Sequence, residues 1–272
     1  MWATRAAAVF VLGVAIAFGG DRAPDEAAEA DRACAAELAR WQLSSADSLL
    51  DRPAAPAQKW TNPSAGRVYG HTYVWLDRGR PAAVGCLYRY FDPYQSLNGE
   101  LVALTGSQLV AKKDDKVIWE PQTKWEWHPL PGAATPAAGG PQRLIQMRAI
   151  ADECKVELLD KRNTIKGDSQ TPRLLTTPIY RYDFAKSKPL DGALFAYVIG
   201  TDPELLLLLE CDTSAAAPEW RFGVGRLNRD HVKLRRKGGT AWEGPAIVGG
   251  YENEPTEAYH FFPLALREGA KK

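Results

Sequence analysis

The short motif Trp125-Glu126-Trp127-His128 holds the residues whose types and spacing are best suited to chemistry. On a strand, the two Trp side chains share one face, and Glu126 and His128 share the other. An exposed indole pair forms an apolar platform on which a sugar or a peptide stacks, and the Glu/His pair offers general acid–base groups. The alternative is that the Trp pair faces the core and the polar pair faces water. The motif predicts a ligand-binding site made of Trp125, Trp127, Glu126 and His128.

Signatures of several enzyme classes are absent from the sequence. It has no GxSxG elbow, and no P-loop, HExxH or GxGxxG motif. Its acidic residues between positions 183 and 210 could include a carboxylate pair for glycoside hydrolysis, but Asp202 and Glu204 fit turn and cap roles better. The four His residues lie far apart, and the four Cys residues form no CxxC pair. We therefore predict no catalytic residue, no metal site and no cofactor.

Net charge and cysteine content indicate which classes of partner to expect and whether disulfides form. A net charge of +1 argues against a nucleic-acid-binding surface, which needs a basic excess. A disulfide between Cys34 and Cys154 is one possibility for an exported chain. Four buried free thiols, which include Cys86 and Cys211, are the favoured alternative because a core of this size needs no covalent link.

The N-terminus resembles a secretory leader. Arg5 precedes an apolar run from Ala6 to Phe18, and Ala17-Phe18-Gly19 suits cleavage. Thirteen apolar residues are short for a membrane span, so an uncleaved anchor is the less favoured alternative. We expect an exported protein (periplasm, cell surface or extracellular) with no transmembrane span in the mature chain.

The stretch from Asp191 to Asp212 is the most apolar of its length after the leader, and a second stretch resembles it. It contains two apolar runs, of which the second fits either a strand or a short helix. Aligning Gly70 with Gly192 also aligns Pro81 with Pro203 without a gap. The matching order of these residues predicts an internal duplication.

The predicted organisation follows from that duplication. We expect an α+β fold of two similar repeats, each a helix followed by about five antiparallel strands, packed as one body. The segments are a signal peptide at 1–20, a first repeat at 21–130, a linker at 131–140, a second repeat at 141–248 and a surface tail at 249–272. The first helix is predicted over Asp21 to Leu50, and the second opens at Pro141.

Three blocks of the sequence carry a resemblance to a known family. They are Arg143 to Arg148, Leu174-Leu175 with Pro178 to Tyr182, and Asp191 to Phe195 with Gly200 to Glu204. In these blocks the chain resembles a family of secreted, functionally uncharacterised planctomycete proteins. The resemblance implies export and transfers no catalytic residue.

The function that fits these observations best is non-enzymatic. We expect an exported binding or structural domain whose partner is a saccharide or a protein ligand. A carbohydrate-active or other hydrolase is one alternative, and a small-ligand carrier with a pocket between the repeats is another.

Overall fold

Long strands of apolar residues form most of the fold. A computed structural model describes residues 22–46, 48–122, 124–159, 169–183, 190–212, 217–248 and 253–264. The predicted leader at 1–20 lies outside the described residues. No helix among the described residues is long and apolar enough to cross a membrane.

Helices and strands are numbered in chain order. The first half contains α1 (Arg22–Leu38), β1 (Trp41–Ser45), β2 (Ser48–Leu49), β3 (Gln58–Thr61), β4 (Arg67–Asp77), β5 (Arg80–Asp92), β6 (Ser96–Ala103), β7 (Leu109–Lys113), β8 (Lys116–Trp119) and β9 (His128–Pro129). The second half contains α2 (Gly140–Asp152), β10 (Cys154–Leu159), β11 (Ser169–Gln170), β12 (Arg173–Leu174), β13 (Tyr180–Asp183), β14 (Leu190–Ile199), β15 (Asp202–Asp212), β16 (Trp220–Arg226), β17 (His231–Arg236), β18 (Gly239–Gly244) and β19 (Tyr259–Leu264).

These strands form two large and two small sheets, all antiparallel. Sheet I has the order β19-β6-β5-β4-β3, and sheet II has the order β12-β14-β15-β16-β9, with β13 also paired to β14. Sheet III has the order β2-β1-β7-β8, and sheet IV has the order β11-β10-β17-β18.

Sheets I and II pack face to face around one shared apolar core, as in a β-sandwich. Val84 and Val102 of sheet I belong to the same buried cluster as Leu194 and Leu208 of sheet II. The outer face of sheet I is covered by α1 and sheet III, and the outer face of sheet II by α2 and sheet IV. Both faces of each large sheet are therefore buried.

This burial on both faces explains the run of five leucines in β15. Leu205, Leu207 and Leu209 pack with the cluster beneath α2, whereas Leu206 and Leu208 pack toward sheet I. A strand covered on both sides needs apolar residues at every position. The structure confirms a strand rather than a helix for this run.

The expected α+β fold of two repeats, each a helix followed by about five strands, is wrong. The described residues form nineteen strands in four antiparallel sheets and only two helices. The first helix ends at Leu38 rather than Leu50, because Trp41, Leu43 and Ser45 are buried in alternation and pair with β7. The expectation of antiparallel sheets is confirmed.

The two long hairpins, β4–β5 and β14–β15, share a pairing irregularity at positions that match when Gly70 is aligned with Gly192. The β4–β5 pairing shifts between Trp75 and Leu76, and the β14–β15 pairing shifts between Tyr197 and Val198. The alignment matches Trp75 with Tyr197. The duplication itself stays a prediction.

Two smaller expectations have clear outcomes, and one further hairpin is notable. β7 and β8 form a hairpin around Asp114 and Asp115, and both turn residues have positive φ. The four cysteines are buried free thiols, and Cys34 and Cys154 belong to clusters on opposite sides of the sandwich. The C-terminal segment differs from the expected surface tail, since β19 pairs with β6 at the edge of sheet I.

Candidate functional site

An open groove of about 640 Å³ lies where the edges of sheets I and II meet. Sheet I contributes Val102 of β6 and Tyr259 of β19, and sheet II contributes Val224, Gly225 and Arg226 of β16. The chain segments on either side complete the wall: 124–128 before β9, 242–248 at the end of β18, and 253–258 before β19. We call this site the groove.

Trp125 forms part of the groove wall because it lies against a glycine. Its ring covers Gly223, where the Cβ of any other residue would overlap the indole. The indole N–H is buried and has no hydrogen-bond partner among the described residues. Buried donors are nearly always paired in folded proteins, so an unpaired donor beside a groove suits a ligand acceptor.

Trp242 provides a second aromatic side chain in the groove. It is only partly buried, with its ring above Gly244 and packed against the core beneath α2. The sequence contained one relevant signal, which is the glycine two residues after Trp242. A small residue there leaves room for the ring to fold over the backbone.

Two polar side chains hold the groove walls in place by bonding to the backbone. Arg226 donates from Nε to the carbonyl of Asn228 (2.9 Å) and from Nη1 to the carbonyl of Pro245 (2.7 Å). Asn253 donates to the carbonyl of Tyr259 (2.5 Å) and accepts from the N–H of Phe261 (2.6 Å). These bonds fix the segments beside β16 and β19.

The rim of the groove carries exposed charges. Lys124, Glu126, Glu254 and Glu257 are exposed, and none of them forms a hydrogen bond or ion pair through its side chain with another described residue. Glu243, by contrast, accepts from His231 (2.5 Å) and pairs with Lys233 (3.3 Å). The bond from His231 is the main cause that lowers the pKa of the Glu243 carboxyl.

The structure brings three of the four predicted site residues to the groove. Trp125, Glu126 and His128 line it, and the His128 ring also contacts the Phe222 ring, with centroids 5.0 Å apart and planes tilted by 35°. Trp127 does not line it. The Trp125 and Trp127 rings are 5.6 Å apart and nearly perpendicular, at 82°. They therefore do not form a flat platform.

Trp127 belongs to a different group of residues, which we call the Glu210 cluster: Arg80, Trp127, Tyr182, Glu210 and Arg221. The guanidinium groups of Arg80 and Arg221 lie 5.1 and 4.5 Å from the centre of the Trp127 ring. The fully buried carboxylate of Glu210 pairs with both, at 2.7 Å from Nε of Arg80 and 3.0 Å from Nε of Arg221. It also accepts from the hydroxyl of Tyr182 at 2.6 Å.

A second buried carboxyl lies directly behind the groove. Glu100 of β6 accepts from the hydroxyl of Tyr88 (2.9 Å) and hydrogen-bonds to Tyr259, which also lines the groove. Burial raises the pKa of Glu100 to about 8. Burial also raises the pKa of Asp202 to about 7, although Asn62 donates to that carboxyl from 3.1 Å. The negative charge of Asp202 further raises the pKa of Glu100.

Neither metal clusters nor known relatives identify the site. Among the described residues, no group of three or more His, Cys, Asp or Glu side chains could hold a metal ion. No protein-family model, curated protein or solved structure matches the chain. The function of the groove therefore has to be inferred from its own geometry.

Proposed function

We propose that this protein is a non-enzymatic binding protein that holds a ligand in the groove between Trp125 and Trp242. The observation that carries the proposal is the unpaired, buried indole N–H of Trp125 in the wall of an open groove. Two aromatic side chains and a few placed polar groups are the usual composition of a binding site.

The open, charged rim supports a polar ligand rather than an apolar cargo. Exposed charged side chains, among them Lys124 and Glu126, border the groove. A saccharide or a peptide has the required combination, with apolar faces for the indoles and polar groups for the rim. An apolar carrier would need an enclosed cavity instead.

The arrangement of Glu126 and His128 supports binding more than proton transfer. A catalytic base is typically held in orientation by a hydrogen bond to a neighbouring side chain. Among the described residues, no side chain hydrogen-bonds to either of these two. Export, which the sequence predicts from residues 1–20, places such a binding protein outside the cytoplasm.

The test is a thermal-shift screen of the protein with two panels, one of soluble oligosaccharides and one of short capped peptides. A ligand at 100 times its Kd adds roughly 2.7 kcal/mol to the free energy of unfolding, which raises Tm visibly. We expect Trp125→Ala to abolish the shift and Trp127→Ala to retain it, because of these two residues only Trp125 lines the groove.

Two results would contradict the proposal. One is the absence of a shift with every member of both panels at millimolar concentration. The other is a shift that Trp125→Ala and Trp127→Ala reduce equally. Circular dichroism of both variants at the binding temperature establishes that each is folded when the ligand is added.

A further inference from the structure

The edge of sheet II beside the groove is paired over only part of its length. β9 pairs with β16 at Arg221 and Phe222, and no other described strand continues that edge. Val224, Gly225 and Arg226, which follow on β16, line the groove instead. An open stretch of sheet edge therefore forms one side of the groove.

The hydrogen-bond pattern identifies which backbone groups face the groove. The N–H of Leu130 donates to the carbonyl of Trp220 (3.3 Å), so the backbone groups of Trp220 point away from β15. Backbone groups alternate in direction along an antiparallel strand. Those of Val224 and Arg226 consequently point into the groove, and they have no backbone partner among the described residues.

The groove leaves room for side chains beside this edge. On the side of β16 that faces sheet I, the edge carries Gly223 and Gly225, which have no side chains of their own. A Cβ at Gly225 would meet Leu104 and Val102, and the Trp125 ring covers Gly223. An added strand would thus place every second side chain against an apolar wall that includes Trp125 and Val102.

From this edge we infer the ligand class, an inference that rests on the proposed function: the groove binds an extended peptide, which adds to sheet II as a strand beside β16. Main-chain bonds to Val224 and Arg226 supply the affinity, as in other cases of strand addition. Apolar side chains at every second position of the peptide contact the groove wall that includes Trp125 and Val102. Lysines at the alternate positions of the peptide face the rim, which carries the free carboxylates of Glu126, Glu254 and Glu257.

The probe is the capped hexapeptide acetyl-Val-Lys-Val-Lys-Val-Lys-amide, titrated into the ¹⁵N-labelled protein. We expect the amide resonances of Val224 and Arg226 to shift and their hydrogen exchange to slow by roughly tenfold or more at saturation, because both amides gain a backbone partner. The amide of Val110, on β7 of sheet III, is the internal control.

Two methylated versions of the probe test main-chain pairing directly. One carries N-methyl groups on the valine amides and the other on the lysine amides. In an extended peptide only one of these sets faces β16. We expect one version to bind at least about tenfold more weakly than the parent, a loss of roughly 1.4 kcal/mol, and the other to bind like the parent.

Several outcomes would overturn the inference. One is slow hydrogen exchange of both amides in the free protein, which would mean that the edge is already paired. Another is equal affinity of the two methylated probes. An oligosaccharide that shifts Tm in a Trp125-dependent way while this peptide leaves Val224 unaffected would also overturn it. That last result would leave the proposed function standing, so the two failures are distinguishable.

Discussion

Trp125 and Trp127 lie two residues apart, yet they belong to regions that differ in how their polar groups are paired. Trp127 lies between two guanidinium groups in the Glu210 cluster, where the buried carboxylate accepts from Arg80, Arg221 and Tyr182. Trp125 lies in the groove wall with its indole N–H unpaired among the described residues.

This contrast separates stability from binding. Removing one partner from a paired buried group leaves an uncompensated charge, so the Glu210 cluster is expected to matter for folding. The groove is open and its wall includes Trp125, so the groove is expected to matter for binding. Substitutions in both regions test that division, in order of decreasing effect.

The largest effect is expected from Glu210→Ala. It leaves two guanidinium groups and the Tyr182 hydroxyl without their acceptor, and it should lower the free energy of unfolding by about 3 kcal/mol. Urea denaturation measures the loss. A loss below about 1 kcal/mol would mean that solvent replaces the carboxylate without difficulty. The claim that the Glu210 cluster stabilises the fold would then be wrong.

Glu100→Gln tests a buried carboxyl that faces hydroxyl groups instead of guanidinium groups. Because the pKa of Glu100 is raised to about 8 from its ordinary 4.5, the folded state binds more protons between these values. Stability therefore falls as pH rises from about 5 to about 8. The variant lacks this dependence, so it should be more stable than the wild type at pH 9 by at least about 2 kcal/mol, with no such gain at pH 4.

Urea denaturation at both pH values measures the difference for Glu100→Gln. Asp202→Asn is the companion variant, because the pKa of Asp202 is raised to about 7 and its loss should act in the same direction. An advantage of Glu100→Gln that is equal at pH 4 and pH 9 would show that Glu100 does not titrate in this range.

Gly223→Ala should displace Trp125 and so alter the groove. The added Cβ overlaps the indole ring, and we expect a loss of about 1–3 kcal/mol in unfolding free energy together with weaker binding. Gly106→Ala is the matched control, since a Cβ there meets nothing within 4 Å. If both variants bind and unfold like the wild type, the ring does not depend on Gly223 for its position.

The smallest effect on stability is expected from Glu254→Gln on the rim. Its carboxylate is exposed and has no described partner, so unfolding free energy should change by less than about 0.5 kcal/mol. Binding of a lysine-containing peptide should weaken, and more so at low salt, because the lost attraction is a screened surface interaction. Titrations at two salt concentrations measure this; affinity that is independent of both the variant and salt would mean that the rim does not contribute to binding.

The strands were largely predictable from the sequence, whereas the ends of elements were not. The apolar run Leu205–Leu209 fitted either a strand or a short helix, and its burial on both faces of sheet II accounts for the strand. The first helix was extended too far, because its spacing rule included Leu49, which is exposed. β19 was missed because His260 and Pro263 interrupt its apolar run, and its buried residues do not alternate with exposed ones.

The site was only partly predictable, because the argument from spacing placed the whole Trp125–His128 motif on a strand. Only His128–Pro129 forms one. The Trp125 ring lies over Gly223, which is distant in the sequence, and the Trp127 ring contacts the guanidinium groups of Arg80 and Arg221 instead. Such contacts between distant segments leave no local pattern.

The most direct test of the groove as the binding site is ¹⁹F NMR of the protein labelled with 5-fluorotryptophan. Single Trp→Phe variants at positions 125, 127 and 242 assign the resonances among the nine tryptophans of the chain. On addition of a ligand found in the two panels, we expect the Trp125 and Trp242 resonances to shift and the Trp127 resonance to stay in place. A shift confined to Trp127, or no shift of Trp125 at saturation, would contradict the claim that the groove is the binding site.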